Sequence, residues 1–484
     1  MAYEGLRGFI EEVERLGELR VARGCDVETE IGAVTELAQH RINGPAVLFN
    51  EVPGYDPGYG VFVNSVGSPS RTALALGLPT GLGWKQLVPL WRQRMKEIRP
   101  IPPQFVADGP VMEHVQRGAD VDLLKFPTPK WHEFDGGRYI GTGVVDILPD
   151  PDSDWINLGT YRVMLVDRNR VCLYISPGKH GRIIREKYFA RNEPMPVAMS
   201  LGHDPLLFIA SSLEVPPGMS EYDWAGGVRG APVPVLKGPV TGLPIPAHAE
   251  IVLEGFIKPG ERAPEGPFGE WTGYYASGER EEPVMTVEAV YHRTNPIILG
   301  SPPCKPPSEL TSYRALLRSA LIHDQLERAG VPDVQAVWTP EAGGTRLFIA
   351  VAIRQRYPGH ARQAGHIAAM CHAGAYLGRI VVVVDEDVDV TDLNDVIWAV
   401  CTRSDPEQSI DIIKRAWSGP LDPIIHPSRK GFNSRLIIDA CRPFEWRQEF
   451  PRVAEASAEL MERTRAKWGD YILGGAPSPV GAAR

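Results

Sequence analysis

The first hundred residues contain one segment whose apolar residues recur with the period of a helix, followed by several short apolar runs. The segment MAYEGLRGFIEEVERLGEL predicts a helix with one apolar face, formed by Leu6, Phe9, Ile10, Val13 and Leu16. AVLFNEV and GVFVNSV are typical of strands, and RTALALGL of a helix. The Pro-rich segment RPIPPQF, which ends at residue 105, predicts a boundary. We therefore expect an N-terminal α/β domain over residues 1–105.

From 106 to 308 the apolar runs are short, often alternate with polar residues, and are separated by turns. The predicted strands are YIGTGVVDIL, TYRVMLVD, RVCLYIS, PVAMSLG, LLFIASS, AEIVLEGFI and VMTVEAVYH. With so few helices between them, this pattern predicts an antiparallel barrel or a curled sheet.

From about residue 309 the pattern changes to helices alternating with buried strands. SYRALLRSALIHDQLERAG predicts a helix ending at Gly330, and GHARQAGHIAAMCHAGAYLG and LNDVIWAVCTR predict two more. VQAVWT, RLFIAVAI and RIVVVVDEDVDV predict strands. We expect a separate α/β domain over 309–450, then a helix at 452–468 and a flexible tail within 451–484. The fold class is thus a mixed α/β multidomain protein.

Composition narrows the class of protein. At 484 residues the chain is too long for one ordinary core, and its 43% apolar and 23% charged residues are typical of a globular protein. A net charge of −9 argues against a general nucleic-acid binder. The sequence shows neither a signal peptide nor a run of about 18 apolar residues, so we expect no membrane span and a cytoplasmic location. Six scattered cysteines without CxxC favour reduced thiols over disulfides or a zinc site.

The segment APEGPFGEWTGYY carries the most unusual chemistry. Glu265 and Glu270 bracket a Gly-Pro turn, and Trp271, Tyr274 and Tyr275 follow. Carboxylates in one small pocket tend to split their protonation, and desolvation by aromatic rings raises the pKa of one of them. This pattern predicts a site for general acid chemistry.

Three further clusters occur in the strand-rich middle. DWINLGTYRVML carries Asn157 and Arg162 around Gly159, which permits a close backbone approach to a ligand. ISPGKHGRI places His180 in a Gly-bounded loop, and SSLEVPPGMSEYDWAGGVRG places Glu221 after an apolar strand ended by Ser211 and Ser212. Taken singly, an exposed strand Arg, a structural loop His and a surface Glu are the commoner interpretations. Taken together, Asn, His and Glu offer oxygen and nitrogen ligands for a divalent ion such as Mn²⁺.

These motifs, in this order, resemble the UbiD-type decarboxylases, which use prenylated FMN. The resemblance covers nearly the full length and is most specific in E-G-P-F-G-E and the upstream N-x4-R. It implies a central split β-barrel that binds flavin and metal, and a C-terminal domain that mediates dimers or higher assemblies.

The resemblance also assigns roles to residues. It implies a catalytic network of Arg162, Glu265 and Glu270, with Glu270 as proton donor. It implies an Mn²⁺ ion, held by Asn157, His180 and Glu221, that clamps the cofactor phosphate, and a K⁺ site at the flavin-contacting segment Ser211–Leu213. The cofactor-binding set predicted in this way is Asn157, Gly159, Arg162, Lys179, His180, Ser211, Ser212, Leu213, Glu221 and Arg379. Arg379 stands where the family often has a Lys before a buried strand.

The implied reaction is reversible, non-oxidative decarboxylation through a covalent adduct of prenylated FMN, which a flavin prenyltransferase supplies. We expect an aromatic or heteroaromatic acid as substrate, with an acrylic-type acid as the alternative. Trp271, Tyr313 and Arg314 are candidate substrate contacts. Two other classes stay open, a plain FMN-binding redox protein and a non-catalytic partner. The chain has no GxGxxG after a strand for a dinucleotide, and it retains both the acid and the Arg.

Overall fold

The computed structural model describes residues 3–213, 215–275, 277–419, 421–429 and 431–474. In the N-terminal segment, α1 (Gly5–Arg15) confirms the predicted helix, and its buried face is formed by Leu6, Phe9, Ile10 and Val13. Leu16 follows the last helical residue and is exposed, because the chain leaves the helical period there.

A small mixed sheet is formed mainly by strands that follow this helix in the sequence. It consists of β1 (Leu19–Arg23), β2 (Ala46–Asn50), β3 (Gly60–Val63) and β16 (Ile297–Gly300), paired in the order β1-β2-β3-β16. The helices of this segment are α2 (Glu30–Gln39), α3 (Pro69–Leu76) and α4 (Trp84–Glu97). AVLFN, GVFV and the RTALAL helix confirm the sequence predictions, whereas β16 arrives from far along the chain and was not foreseen as part of this sheet.

A large antiparallel sheet forms the middle of the chain and is open, running from β6 at one edge to β8 at the other in the order β6-β9-β10-β15-β14-β11-β7-β8, with β5 paired to β15. Its strands are β5 (His114–Arg117), β6 (Tyr139–Gly141), β7 (Val145–Pro149), β8 (Ile156–Gly159), β9 (Val163–Leu165), β10 (Arg170–Leu173), β11 (Met195–Leu201), β14 (Ile251–Glu265) and β15 (Arg280–His292). A smaller sheet pairs β13 (Pro244–Pro246), β12 (Pro234–Lys237) and β4 (Gln104–Phe105). The predicted curled sheet is confirmed.

The longest strands of this sheet, β14 and β15, form an antiparallel pair whose register runs from Ile251 opposite His292 to Glu265 opposite Arg280. Register shifts after Glu254 and after Ile257 twist the pair. Glu265 ends β14, Arg280 begins β15, and the connection between them carries Glu270. The loop end of this hairpin therefore holds three charged side chains.

The run LLFIASS is a helix, α6 (Pro205–Ser211), so the strand prediction there was wrong. The start signals explain the difference: Asp204 accepts a hydrogen bond from the Leu206 N–H, and Pro205 occupies the first turn. All of its residues are buried, so the helix has no polar face to produce an amphipathic period. Two other helices of this segment are α5 (His180–Ala190) and α7 (Glu221–Arg229).

The C-terminal α/β segment has the predicted character. Its strands are β17 (Val334–Trp338), β18 (Phe348–Ile353), β19 (Ile380–Asp385), β20 (Ile410–Trp417) and β21 (Phe432–Ala440), paired in the order β17-β18-β19-β21-β20. Its helices are α8 (Glu309–Arg328), α9 (His360–Met370), α10 (His372–Ala375) and α11 (Leu393–Arg403). The Ala-rich stretch predicted as one helix is broken at Cys371, whose ψ of 157° is extended.

The contacts divide the chain into the units Met1–Cys441 and Arg442–Arg484. The second unit contains α12 (Ala458–Gly474), which begins and ends six residues later than predicted. Within the first unit, one buried apolar cluster includes Phe9, Tyr291, Leu316 and Val382, so the N-terminal, central and C-terminal segments share a core. The predicted domain boundaries stay predictions. In the described part of the chain, none of the helices has the length and apolar character needed to cross a membrane.

Candidate active site

Arg162 joins the two glutamates of the Gly-Pro turn. It lies immediately before β9, and its Nε and Nη2 donate to the two carboxylate oxygens of Glu265 at 2.7 and 2.9 Å. Its Nη1 donates to Glu270 Oε1 at 2.9 Å. The structure therefore brings the predicted catalytic residues into one ion-pair network, in which the planar guanidinium fixes both carboxylates at once.

The two carboxylates differ in their surroundings. The Glu265 side chain is fully buried and also accepts a hydrogen bond from the Tyr139 hydroxyl at 2.9 Å, whereas the Glu270 side chain is 14% exposed. Burial raises the pKa of Glu270 above its usual value, and Arg162 and Arg280 offset part of that rise. Glu270 is thus the carboxyl that retains both access and a tendency to hold a proton.

The turn that carries Glu270 is held by backbone contacts. Gly266 has a φ of +86°, a conformation that favours glycine, and is followed by a cis bond to Pro267. The Gly269 N–H donates to Asp135 Oδ1 at 3.3 Å, and the Glu270 N–H donates to the Tyr274 carbonyl at 3.1 Å. These contacts fix the direction in which Glu270 leaves the hairpin.

Arg280, which sequence reasoning missed, completes the charged cluster. Its Nε lies 3.6 Å from Glu265 Oε2 and 3.3 Å from Glu282 Oε1. The guanidinium carbons of Arg162 and Arg280 lie 4.4 and 3.8 Å from the centre of the same ring, that of Tyr174. Two guanidinium groups therefore face three carboxylates, and burial raises the pKa of Glu282 as well as that of Glu270.

Asn157 and Glu221, two of the predicted metal ligands, are in contact. Asn157 Nδ2 donates to Glu221 Oε1 at 3.0 Å, and the Leu158 N–H donates to Glu221 Oε2 at 2.6 Å. Glu221 is the first residue of α7 and is 1% exposed. Burial raises the pKa of its carboxyl to about 7. A bound cation would hold this buried carboxylate ionised.

His180 is the first residue of α5, so the prediction that it lies in a loop was wrong. Lys179 is the N-cap residue, and its carbonyl accepts the N–H groups of Arg182 and Ile183. Tyr161 links His180's helix to Asn157, because its hydroxyl donates to Asn157 Oδ1 at 3.2 Å and accepts from the Gly181 N–H at 3.1 Å. The structure thus joins Asn157 to Glu221 directly and to the first turn of the helix that carries His180, and the role of the three residues as metal ligands stays a prediction.

The donor set fits a divalent ion. An amide oxygen, an imidazole and a carboxylate are ligands that Mn²⁺ accepts, with further positions left for phosphate or water. Among the described residues, a search for three or more clustered His, Cys, Asp or Glu finds no group. That search does not test the predicted set, because one of its three ligands is an asparagine.

Gly159 has a packing role that the sequence did not reveal. A Cβ atom on Gly159 would lie 2.2 Å from two ring carbons of Tyr161, so only glycine leaves room for that ring. The close approach of a ligand at Gly159 stays a prediction.

The segment Ser211–Leu213 lies against Thr160. The hydroxyls of Thr160 and Ser211 are 2.6 Å apart, and the Thr160 N–H donates to the Ser211 carbonyl at 3.1 Å. From α8, the fully buried Tyr313 donates its hydroxyl to Ser212 Oγ at 2.9 Å. These contacts place the serines beside the strand that carries Asn157. They also show that Tyr313 contacts Ser212, while its predicted contact with the substrate stays a prediction.

The remaining candidates lie towards the C-terminal α/β segment. Trp271 is 8% exposed, and a Cβ atom on Gly344 would lie 2.4 Å from its ring. Arg379 forms an ion pair with the buried Asp422. The Nε atoms of Arg379 and Arg314 are buried and have no hydrogen-bond partner among the described residues. The roles of Trp271, Arg314 and Arg379 at the site stay predictions.

The chain matches models of the 3-octaprenyl-4-hydroxybenzoate carboxy-lyase (UbiD) family along most of its length. Residues 10–91 match the N-terminal domain, 104–306 the Rift-related domain and 312–440 the C-terminal domain. The chain belongs to this family. It is therefore a carboxy-lyase by descent, which confirms the resemblance noted in the sequence.

Curated relatives of this UbiD-family chain are decarboxylases. The pyrrole-2-carboxylic acid decarboxylase of Pseudomonas aeruginosa is 34% identical, with 97% of this chain and 98% of the relative covered. The phenolic acid decarboxylase of Streptomyces sp. (strain D7) is also 34% identical, with 92% and 93% covered.

Solved structures agree in fold over almost the whole chain. The open form of vanillic acid decarboxylase from Sedimentibacter hydroxybenzoicus has a TM-score of 0.84 at 31% identity, with 97% of this chain and all of that chain covered. An evolved dimeric form of the UbiD-class enzyme HmfF from Pelotomaculum thermopropionicum, in complex with prFMN, has a TM-score of 0.80 at 28% identity, covering 94% and 98%.

Proposed function

We propose that the chain catalyses reversible, non-oxidative decarboxylation of an aromatic or heteroaromatic carboxylic acid with prenylated FMN, and that Glu270 is the proton donor. The observation that carries the proposal is the Arg162 fork, which holds Glu265 through two oxygens and Glu270 through one. A network that unites one guanidinium, one fully buried carboxyl and one partly exposed carboxyl supports positioned acid chemistry, because each group influences the charge of the next.

The two glutamates have different tasks in this proposal. Glu265 is fully buried and its oxygens are occupied by Arg162 and Tyr139, so its task is to orient the guanidinium. Glu270 has the raised pKa and the partial exposure of a group that delivers its proton to a substrate carbon. After protonation of the product, Glu270 recovers a proton from solvent, since its side chain is accessible.

Prenylated FMN supplies the electron sink for loss of CO₂ when it is bound. Asn157, His180 and Glu221 would hold Mn²⁺ near the cofactor phosphate, and Ser211–Leu213 would contact the flavin and contribute oxygens to a K⁺ site. The hydrogen bonds from Asn157 and Leu158 to the buried Glu221 support this assignment, because they orient a carboxylate that lacks bulk solvent. The related HmfF structure contains prFMN.

The substrate class rests on the relatives and on the wall beside Glu270. The related decarboxylases are named for pyrrole-2-carboxylic, phenolic and vanillic acids, and all of these acids are aromatic or heteroaromatic. Trp271 directly follows Glu270 and is largely buried, so it offers a flat apolar surface at the site of proton transfer. An acrylic-type acid is the alternative substrate and would use the same network.

The deciding experiment is production of the chain with and without a flavin prenyltransferase, followed by mass spectrometry of the released small molecule. The proposal expects prenylated FMN only in the first sample, and CO₂ release from at least one acid in a panel of pyrrole, furan, hydroxybenzoic and cinnamic acids. Plain FMN in both samples, with no CO₂ from any acid, would instead favour the redox or non-catalytic alternative.

We further infer that the chain acts in the cytoplasm as a homodimer or higher homo-oligomer, and that the flavin prenyltransferase is its cofactor donor. A dimeric form among the related structures supports the first point. Light scattering of the cofactor-loaded protein tests it directly, and a monomeric mass would contradict it.

A further inference from the structure

A cavity of about 320 Å³ lies away from the proposed active site, where the connection between β2 and β3 meets the end of β15. Its lining shares no residue with the Arg162 network or with the predicted metal ligands. It is lined by Asp56, Tyr59, His114, Val115, Gln116, Lys125, His292, Thr294 and Asn295. The volume is that of a site for a small molecule.

Lys125 provides the positive charge of this cavity. Its Nζ donates to His292 Nε2 at 2.8 Å and lies 5.2 Å from the ring centre of Phe126 and 5.9 Å from that of Tyr59. Burial lowers the pKa of Lys125, which means that its ammonium has lost water without full compensation. Among the described residues, Lys125 forms no ion pair within 4.0 Å, although the more distant carboxylates of Asp122 and Asp56 offset part of the lowering of its pKa.

The hydrogen bonds of His292 show that its ring is a neutral acceptor towards Lys125. Its Nδ1 lies 2.8 Å from the Arg293 carbonyl and must donate, so Nε2 carries the lone pair that accepts from the ammonium. Burial lowers the pKa of His292 to about 4, in agreement with this tautomer. An uncharged imidazole holds the Lys125 side chain in place but does not neutralise it.

Other groups on the wall are also arranged around this cation. His114 is the register partner of His292, and the two rings stack at 4.8 Å. His114 Nε2 lies 2.9 Å from the Thr294 hydroxyl. The acidic residue on the wall, Asp56, accepts a hydrogen bond from the Gly58 N–H at 3.0 Å and acts on Lys125 from a distance, without an ion pair in contact.

We propose that this cavity is a second ligand site, which binds a small oxyanion, a carboxylate or a phosphate, through the Lys125 ammonium. A partly buried cation without a counter-charge in contact is stabilised by an anion that enters the cavity, and the remaining N–H groups of Lys125 are its donors. The size of the cavity and its polar rim, with Gln116, Thr294 and His114, match a compact anion rather than a long or apolar one.

The test is calorimetric titration of the cofactor-loaded protein with inorganic phosphate and, separately, with acetate at constant ionic strength. The wild-type protein should bind at least one of the two anions at a site that Lys125→Met weakens roughly tenfold or more. The matched control is Lys258→Met, which removes a surface lysine paired with Glu261 and should bind like the wild type. Comparison of the two anions identifies which source of oxyanion the site accepts.

A second variant tests the same site independently, in case Lys125→Met does not fold. Gln116 Oε1 accepts from the Asp122 N–H at 3.2 Å, and Gln116→Glu keeps that acceptor while adding a negative charge to the cavity wall. Gln116→Glu should also abolish anion binding at this cavity, and its thermal stability should equal that of the wild type. The proposal would be overturned if Gln116→Glu bound phosphate and acetate as tightly as the wild type and Lys258→Met bind them. The result is independent of the decarboxylase assignment, because no catalytic turnover is measured.

Discussion

Glu265 and Arg280 are register partners at the loop end of the β14–β15 hairpin, and Arg280 Nε lies 3.6 Å from Glu265 Oε2. The same guanidinium approaches Glu282 and covers the ring of Tyr174, against which Arg162 also packs. The hairpin thus places a second guanidinium group beside the carboxylates of Glu265 and Glu282. Because opposite charge lowers the pKa of a carboxyl, Arg280 is a positioning residue that limits how far burial raises the pKa of Glu270.

Replacing Arg280 should therefore shift the pH profile of decarboxylation. An acid is active when protonated, so the rate falls as pH rises through the pKa of Glu270. Arg280→Met removes a charge that lowers this pKa, and the alkaline limb of kcat should move to higher pH by about 1 unit. Arg280→Lys should restore the wild-type limb, and Arg170→Met, a change at an exposed ion pair with Asp167, should leave it unchanged. An identical limb in Arg280→Met and wild type would exclude this role.

The fold was largely predictable because its elements carry strong local signals. The amphipathic face of α1 and the buried run of β19 each determine their own structure. The wrong strand prediction at α6 has a physical cause, namely that a short apolar run does not distinguish a buried strand from a buried helix. In α6 the capping Asp204 and Pro205 were the available signal.

The site was predictable only in part, for a reason that lies in strand register. Motif order pointed to Arg162, Glu265 and Glu270, and the structure joins them. Arg280 could not be placed, because bulges in β14 prevent counting from one strand to the other. Asp135 and Tyr139 were missed as well, since their contacts with Gly269 and Glu265 join segments more than 120 residues apart.

Loss of the proposed proton donor should abolish turnover without loss of the cofactor. Glu270→Gln keeps the side-chain shape and a carbonyl oxygen for Arg162 Nη1, so the ion-pair geometry changes little. We expect kcat to fall by about 100-fold or more, with the cofactor content unchanged. Glu281→Gln, on an exposed position of the same hairpin, is the control. Undiminished CO₂ release by Glu270→Gln would mean that another group delivers the proton.

Metal binding should depend on the contacts between α7 and β8. Glu221→Gln removes the negative charge of one proposed Mn²⁺ ligand and Asn157→Ala removes the amide oxygen of another, and we expect manganese content to fall by roughly tenfold or more in each. Asp223→Asn changes a second acidic residue in the first turn of α7 and should retain the metal. Elemental analysis after gel filtration measures the content. If the three variants retain manganese equally, the ion is held elsewhere.

Replacing only one partner of the Arg162–Glu265 ion pair should lower the stability of the protein. Arg162→Met leaves the fully buried Glu265 with the more distant Arg280 guanidinium, at 3.6 Å, as its cationic neighbour, which we expect to destabilise the protein by about 3 kcal/mol or more. Glu265→Gln in the same background removes the stranded charge and should recover a large part of that loss. Denaturant midpoints of the single and double variants measure the coupling. Strictly additive effects would show that the pair contributes no interaction energy.

Contact between Trp271 and Gly344 offers a test of the proposed substrate wall. Gly344 has a φ of +57°, and a Cβ atom there would lie 2.4 Å from the Trp271 ring, so Gly344→Ala strains the backbone and displaces the indole. Gly330→Ala is the matched control, since its φ is +83° but nothing lies within 4 Å of the added carbon. Both variants should lose about 1 kcal/mol of stability from the backbone conformation.

If the indole forms one wall of the substrate site, only Gly344→Ala should also change catalysis. We expect KM for an aromatic acid to rise by roughly tenfold, because a displaced ring no longer packs against the substrate, while Gly330→Ala keeps the wild-type KM. Steady-state kinetics on the acid with the fastest CO₂ release separates KM from kcat. An equal KM in both variants would assign Trp271 to packing between the Gly-Pro turn and the C-terminal α/β segment alone.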